Sequence, residues 1–188
     1  LHLCDRRQRQ MCIRDRLYLL TSKPVLYACN VDEASAATGN EFSKRVFEMA
    51  EKQGNQAVVI SAAIESEVAL LESAEEQKEF LETLGLEETG LNRVIAAGYK
   101  LLNLKTFFTV GPKESKAWTI RNGMTAPQAA GVIHSDFEKG FIRAEVISYD
   151  DFIVCKSEAK AREMGKLRSE GKTYVMQDGD ICHFLFNV

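Results

Sequence analysis

The chain has 188 residues, 45% of them apolar and 27% charged, with a formal net charge of −3, which suits one or two ordinary domains with cores of their own. No apolar run approaches the ~20 residues that cross a bilayer, and the polar, arginine-rich start lacks the apolar segment of a secretory signal. Five cysteines, Cys4, Cys12, Cys29, Cys155 and Cys182, show no Cys-x-x-Cys spacing; they indicate neither a disulfide framework nor a zinc site and suit reduced thiols in a cytoplasm.

Charge is unevenly placed. Residues 1–16 carry five Arg against two Asp, residues 17–104 carry 7 basic and 14 acidic side chains, and residues 105–188 carry 12 and 11. None of these blocks is basic enough to argue for nucleic-acid binding from charge alone. Residues 1–16 have no helical or strand period, and Met11-Cys12-Ile13-Arg14-Asp15-Arg16 looks like translated sequencing-library adaptor, the alternative being a native basic arm. They are expected to be a non-native or disordered leader.

After the leader, Val25-Leu26-Tyr27-Ala28-Cys29 is an apolar run opened by Pro24 and stopped by Asn30-Val31-Asp32-Glu33. That pattern predicts a parallel strand buried on both faces, and ligands of such sheets sit at the carboxyl ends of the strands. A helix is predicted over 41–53, with Phe42, Val46, Phe47 and Met49-Ala50 on its core side and Gly54-Asn55 closing it. Ala57-Val58-Val59-Ile60 is a second strand, ending in Ser61-Ala62-Ala63-Ile64-Glu65, so the three elements make a βαβ unit with two polar strand ends side by side. Beyond Glu65 the pattern is helical as far as Gly85, and its charged stretch 72–79 reads as a solvated face. Another helix follows Thr89 or Gly90, with an apolar stripe of Leu91, Val94, Ile95, Leu101 and Leu102.

At about Leu104 the apolar period changes from 3.6 to 2, and a second domain is predicted over 105–188. Strands at 105–110 and 115–120 flank Gly111-Pro112-Lys113-Glu114 as a hairpin. Thr125 caps a short helix that has Pro127 in its first turn and runs to about His134. Residues 141–148 alternate as a strand, 157–170 form a charged helix or loop, and 173–176 with 181–186 supply the last strands. Hairpin, crossing helix and further strands form the β-grasp order. The expected core is Phe107, Trp118, Ile120, Val132, Phe141, Ile142, Val146, Phe184 and Phe186.

In P-loop GTPases two such strand ends build the base pocket, the first as Asn-Lys-x-Asp and the second as Ser-Ala-x. Here the first reads Asn30-Val31-Asp32-Glu33. The Asn30 amide can give and take hydrogen bonds at a purine edge, as Asn does with adenine N7 and N6. The Asp that accepts from guanine N1–H and N2–H is replaced by the longer Glu33, and the Lys whose stem covers the base by Val31. This altered motif, Ser61-Ala62-Ala63, Trp118-Thr119-Ile120-Arg121, the runs 126–134 and 136–146, and Gln177-Asp178-Gly179-Asp180 together resemble the YchF family of Obg-related P-loop ATPases, from about Leu17 to Val188.

The resemblance implies an α/β remnant, the C-terminal part of a P-loop NTPase domain over 17–104, followed by an α+β β-grasp (TGS) domain over 105–188. It implies ATP as ligand, with Asn30 at the adenine edge, Val31 and Glu33 shaping specificity, and Ser61, Ala62 and Ala63 lining the base. Mg²⁺ belongs to the complete family protein, and the TGS domain implies contacts with the ribosome, its large subunit, or RNA. Phosphate chemistry is not legible here: Glu170-Gly171-Lys172-Thr173 imitates the end of a phosphate loop, but Lys166 stands where a Gly is needed and the segment runs into a strand. No other Gly-x4-Gly-Lys-Ser/Thr occurs in the chain, nor an Asp-x-x-Gly for Mg²⁺. The expectation is therefore the C-terminal fragment of an ATP-preferring, ribosome-associated cytoplasmic ATPase, by itself inactive, with no catalytic or metal-ligating residue assigned and no membrane partner. The alternative is a non-enzymatic ribosome- or RNA-binding TGS module acting through Lys113, Lys116, Arg121, Lys139 and Arg143.

Overall fold

The computed structural model describes residues 19–111 and 114–187, which form two compact units divided between Leu102 and Asn103. The leader 1–16 lies outside the described residues, as do Pro112 and Lys113 of the expected hairpin turn. No described helix is long and apolar enough to cross a membrane.

The first unit starts with a 3₁₀ turn, Leu20–Ser22, and continues through β1 (Leu26–Asn30), a second 3₁₀ turn (Glu33–Ser35), α1 (Glu41–Lys52) and β2 (Gln56–Ile60). Asn40 starts α1 with a reciprocal cap: its side chain accepts from the Ser43 N–H at 2.9 Å, and its own N–H donates to the Ser43 hydroxyl at 2.8 Å. β1 and β2 pair in parallel from Leu26↔Gln56 to Asn30↔Ile60, so a right-sized βαβ unit does form. The strands are not buried on both faces as expected. Ala28 and Asn30 are exposed and all of β2 is only half-buried, because each strand has a single described neighbour. The same narrowness corrects the orientation of α1. Its buried positions are the small residues Ser43 and Ala50, while Phe42 and Phe47 are 75% and 41% exposed; two strands cannot cover an apolar stripe ~100° wide.

The single helix expected beyond Glu65 is two: α2 (Ala62–Val68) and α3 (Ala74–Thr83). Ser61 ends β2 as the N-terminal flank of α2, and Ser73 restarts the chain by accepting from the Glu76 N–H at 3.1 Å. Ile64, Val68, Leu81 and Leu86 close over Ala36 as a small core. α4 (Gly90–Leu101) follows, capped by the Thr89 hydroxyl on the Asn92 N–H at 3.1 Å. Its expected core stripe is largely outward, with Leu91, Ile95 and Leu102 each at least half exposed.

The second unit is a five-stranded mixed sheet in the order β4-β3-β7-β5-β6. Its elements are β3 (Leu104–Val110), β4 (Ser115–Arg121), α5 (Ala126–Ile133), α6 (Ser135–Lys139), β5 (Phe141–Ile147), α7 (Tyr149–Cys155), α8 (Glu158–Glu163), β6 (Arg168–Glu170) and β7 (Ile181–Phe186). β3 pairs β7 in parallel and every other pairing is antiparallel. α5 buries only alanines, Ala126, Ala129 and Ala130, against a core of Phe107, Ile120, Phe141, Val146, Met176 and Phe184. Small residues let the helix lie close to the sheet.

Three expected core residues are instead well exposed: Val132, Ile142 and Phe186. For Ile142 the cause is a bulge, since Phe141 pairs Phe186 and Arg143 pairs Leu185, and the extra residue is turned out of the ladder. Phe186 instead stacks on Phe137, ring centroids 3.9 Å apart. Residues 173–176 are not a strand but a single bridge, Thr125↔Val175, flanked by Ala126 N–H to Tyr174 carbonyl (2.8 Å) and Met176 N–H to Met124 carbonyl (3.0 Å). The strand that does fall in this region, β6, occupies the end of the stretch expected to be helix or loop, and α6 and α7 were not foreseen.

Candidate functional site

The parallel register brings the carboxyl ends of β1 and β2 level, with Asn30 opposite Ile60. The Val31 N–H continues the ladder to the Ile60 carbonyl at 2.9 Å. Two residues further along β2's exit, the Ala62 N–H donates to Asn30 Oδ1 at 3.0 Å. Since a backbone N–H can only donate, this bond fixes the carboxamide with its oxygen toward Ala62 and its Nδ2 away. No hydrogen bond engages that Nδ2 among the described residues. Asp32 is spent on structure, accepting from the Ser35 N–H at 2.9 Å and so turning the chain at Glu33, which is exposed.

Ser61 is 2% exposed, and its hydroxyl is one of two buried side-chain polar atoms without a described partner, the other being Arg93 Nε. Ala62 and Ala63 are exposed in the first turn of α2. Asn30 and Val31 also line a groove of about 350 Å³ beside Asn40, Phe42 and Val46; Glu33, Ser61, Ala62 and Ala63 do not line it. The structure thus brings Asn30 and Ala62 into contact and keeps Glu33 on the neighbouring turn.

One residue of this region has a role the sequence did not suggest. Glu65, on α2, accepts from the Gly90 N–H at 2.6 Å and the Leu91 N–H at 3.3 Å, so its carboxylate caps the start of α4. A Cβ on Gly90 would lie 2.9 Å from Glu65 Oε1 and 3.3 Å from Ile60 Cα. The available signal was a Gly immediately after Thr89, at a helix start where a side chain is usual.

The described basic candidates of the second unit are mostly engaged within it. Lys116 Nζ sits 4.0 Å from the centroid of the Trp118 ring, whose indole N–H donates to the Thr109 hydroxyl at 3.0 Å. Lys139 lies 3.9 Å from Asp136 and Arg143 3.4 Å from Glu145; Arg121 is exposed; Lys113 is outside the described residues. Among the described residues no three His, Cys, Asp or Glu side chains are grouped to hold a metal ion.

A family model for the C-terminal part of YchF GTPases, described as a protein of unknown function (DUF933), matches residues 104–187. The chain is 61% identical over 169 residues to the "Ribosome-binding ATPase YchF" of Pasteurella multocida, covering 90% of this chain and 46% of that protein. It is 50% identical over 183 residues to the protein of the same name from Bacillus subtilis, covering 96% and 50%. Among solved structures, the Schizosaccharomyces pombe YchF GTPase superimposes with a TM-score of 0.79 at 38% identity, covering 95% of this chain and 47% of that one. A GTP-binding protein from Pyrococcus horikoshii OT3 gives a TM-score of 0.60 at 25% identity, covering 88% and 46%.

These relatives are named as ATPases, a GTPase and a GTP-binding protein. The chain belongs to the YchF family. It spans about half the length of the curated relatives it matches.

Proposed function

We propose that residues 17–104 carry the base-reading end of an ATP-preferring P-loop nucleotide site and that residues 105–188 are a β-grasp module of the TGS type that docks on the ribosome. The observation that carries the first half is the Asn30–Ala62 hydrogen bond across the two strand ends, in a chain 50–61% identical to proteins named ribosome-binding ATPases. Asn30 meets the adenine edge, Val31 and Glu33 set specificity, and Ser61, Ala62 and Ala63 line the base. The second half is supported by the strand order β4-β3-β7-β5-β6 with its helix α5, a hairpin, a helix and a parallel pair of the kind a β-grasp reading calls for.

In the complete protein the phosphates and Mg²⁺ supply the charge chemistry of phosphoryl transfer. The residues described above suit a purine, offering the Asn30 amide at a strand end, and contain no cradle for the phosphates. The test uses a chain extended to the length of its relatives. ATP should outcompete GTP there, and Val31→Lys with Glu33→Asp should move the preference toward GTP; an unchanged preference would place specificity elsewhere. Co-sedimentation of the same chain with ribosomes tests the second half, and loss of pelleting when residues 105–188 are removed is the expected result.

A further inference from the structure

We propose that the outer edge of β2 is a dimerisation surface, where β2 of a second copy of this chain adds in antiparallel and joins two first units into one four-stranded sheet. The surface lies away from the strand ends considered above and does not depend on the nucleotide reading. In a parallel pair each residue turns its N–H and carbonyl to one side, and the side alternates along the strand. The Ile60 carbonyl accepts from the Val31 N–H, so Gln56, Val58 and Ile60 face β1 while Ala57 and Val59 turn their backbone groups outward. β1 is the only described neighbour of β2 in the sheet, and no described residue bonds the outward groups of Ala57 and Val59. Such an edge is a template for another strand, and proteins that keep one free blunt it with a charge, a proline or a bulge. Gln56-Ala57-Val58-Val59-Ile60 has none of these.

The edge opens into a groove of about 710 Å³ lined by Ala57, Val58 and Val59, with α1 on one side and α4 on the other. A two-fold axis through Val58, normal to the sheet, sets Ala57 opposite Val59 of the second copy and Val59 opposite its Ala57. All four are outward-facing, so each pair exchanges two N–H to carbonyl bonds, and Val58 meets Val58 in the open pair between them. The helices then fall into place. Strands lie ~4.8 Å apart and α1 packs on both β1 and β2, so the two copies of α1 run antiparallel at about 10 Å, the spacing of packed helices.

Side chains on both faces favour a second copy over an unrelated strand. Lys44, Phe47 and Glu48 line the groove from α1. Phe47 is 41% exposed, and Lys44 and Glu48 form no ion pair with any described residue. Reversing the helix across the axis brings Lys44 of each copy beside Glu48 of the other, with the two Phe47 rings between them. On the α4 side, Arg93 reaches the Ala36 carbonyl with Nη1 at 3.5 Å, while its Nε is buried without an acceptor. The antiparallel register puts Gln56 of the second copy opposite Ile60, on the face that Ile60 turns to Gly90 of α4, and the Gln56 carboxamide oxygen is the acceptor that Arg93 lacks. The groove carries Lys44 and Arg93 with Glu48 and Glu88, two of each sign, although residues 17–104 hold 7 basic and 14 acidic side chains. Two copies therefore meet through a locally balanced surface.

The experiment is sedimentation velocity of the 188-residue chain from micromolar to millimolar concentration, with backbone-amide hydrogen exchange followed at both ends of the range. A reversible monomer–dimer equilibrium is expected, with exchange slowing at Ala57 and Val59 as concentration rises and unchanged at Ala28, whose groups turn to the open side of β1. Lys44→Glu and Glu48→Lys, both at exposed positions of α1, each set like charges together at two symmetric contacts and should weaken the dimer about tenfold or more. The double reversal restores the opposite charges and should bring the dimer back to within about threefold of the natural chain. A chain that stays monomeric, with Ala57 and Val59 exchanging at a constant rate, refutes the second copy and leaves the edge to a strand of another protein. A dimer indifferent to both reversals, or protected at Ala28 instead, lies elsewhere and refutes it too. Single reversals that weaken the dimer with no recovery in the double variant would overturn the antiparallel register.

Discussion

Asp180 offers the sharpest test of how the second unit is held together. It is 2% exposed, accepts from the Tyr174 hydroxyl at 2.9 Å and the Gln177 N–H at 2.8 Å, and has Arg168 Nη2 at 3.5 Å from its other oxygen. Asp180→Ala deletes the shared acceptor, leaving the half-buried Tyr174 hydroxyl and the Gln177 N–H without the group they donate to, while Arg168 keeps the Tyr174 oxygen at 3.2 Å. Removing one side of a buried charged pair costs about 3–5 kcal/mol. Arg168 is 45% exposed on its side chain and also has Glu170 at 3.5 Å, so it can turn to water and the lower end, about 3 kcal/mol, applies. For a unit of this size that is a fall in melting temperature of about 12–24 °C. The chain's single tryptophan, Trp118, lies in this unit, so urea unfolding followed by its fluorescence reads the effect directly. Arg168→Ala should cost about 1 kcal/mol or less, being an exposed partner, and in the double variant the two losses should sum to less than their separate values. A loss below about 1 kcal/mol for Asp180→Ala, with an unchanged dependence on urea, would refute the view that this carboxylate organises the loop.

Two further outcomes follow from the same unit. Burial, and then the neighbouring Asp180 carboxylate, push the Tyr174 hydroxyl up to about 12; because this folded value lies above the ordinary one of ~10, the stabilisation is complete below pH ~10 and is lost as pH rises from there through about 12. The advantage of the natural chain over Tyr174→Phe, on the order of 1 kcal/mol after allowing for the partial exposure of the ring, should therefore shrink between pH 9 and pH 11.5 in urea unfolding, and a constant difference would contradict the placement of the phenol. Gly140→Ala should destabilise by about 1–3 kcal/mol, since an added Cβ would collide with the Asn187 backbone carbonyl while the Asn187 N–H is bonded to the Gly140 carbonyl at 2.9 Å; an unaltered unfolding midpoint would mean that the end of β7 can move away freely.

What the sequence disclosed follows the length of each signal. The alternation of residues 105–110 and 115–120, and the 3.6 period after Gly90, are set by a residue's immediate neighbours and were legible. The sides of α1 and α4 were not, because which stripe is buried depends on what else packs there: Phe42 and Ile95 are exposed although their spacing suits a core face. Residues 173–176 have the β-branched and aromatic content of a strand, yet the hydrogen bonds of Tyr174 and Met176 go to the ends of a turn at 124–126, a tertiary choice no local propensity records. At the candidate site, the polar termination of β1 was legible from Asn30 to Glu33. The contact of Asn30 with Ala62 needed the strand register, and the capping of α4 by Glu65 joins residues 25 positions apart.

The longest runs by which the chain resembles its family prove to serve the fold rather than chemistry. In Gln177-Asp178-Gly179-Asp180, Asp178 accepts from the Thr106 N–H at 2.7 Å, the Gly179 N–H donates to the Thr106 carbonyl at 2.8 Å with φ at +79°, and the Asp180 carbonyl receives the Phe108 N–H at 2.8 Å. The motif is a clasp that fastens the entry of β7 to β3 and so creates the sheet's one parallel pairing. In the run 136–146, Gly140 lets the last residues of β7 approach, and Glu138 fills the space over Gly131 of α5, where a Cβ would lie 2.5 Å from its carboxylate. The long runs say that the second unit must close on itself, with two backbones drawn together at Thr106 and at Gly140.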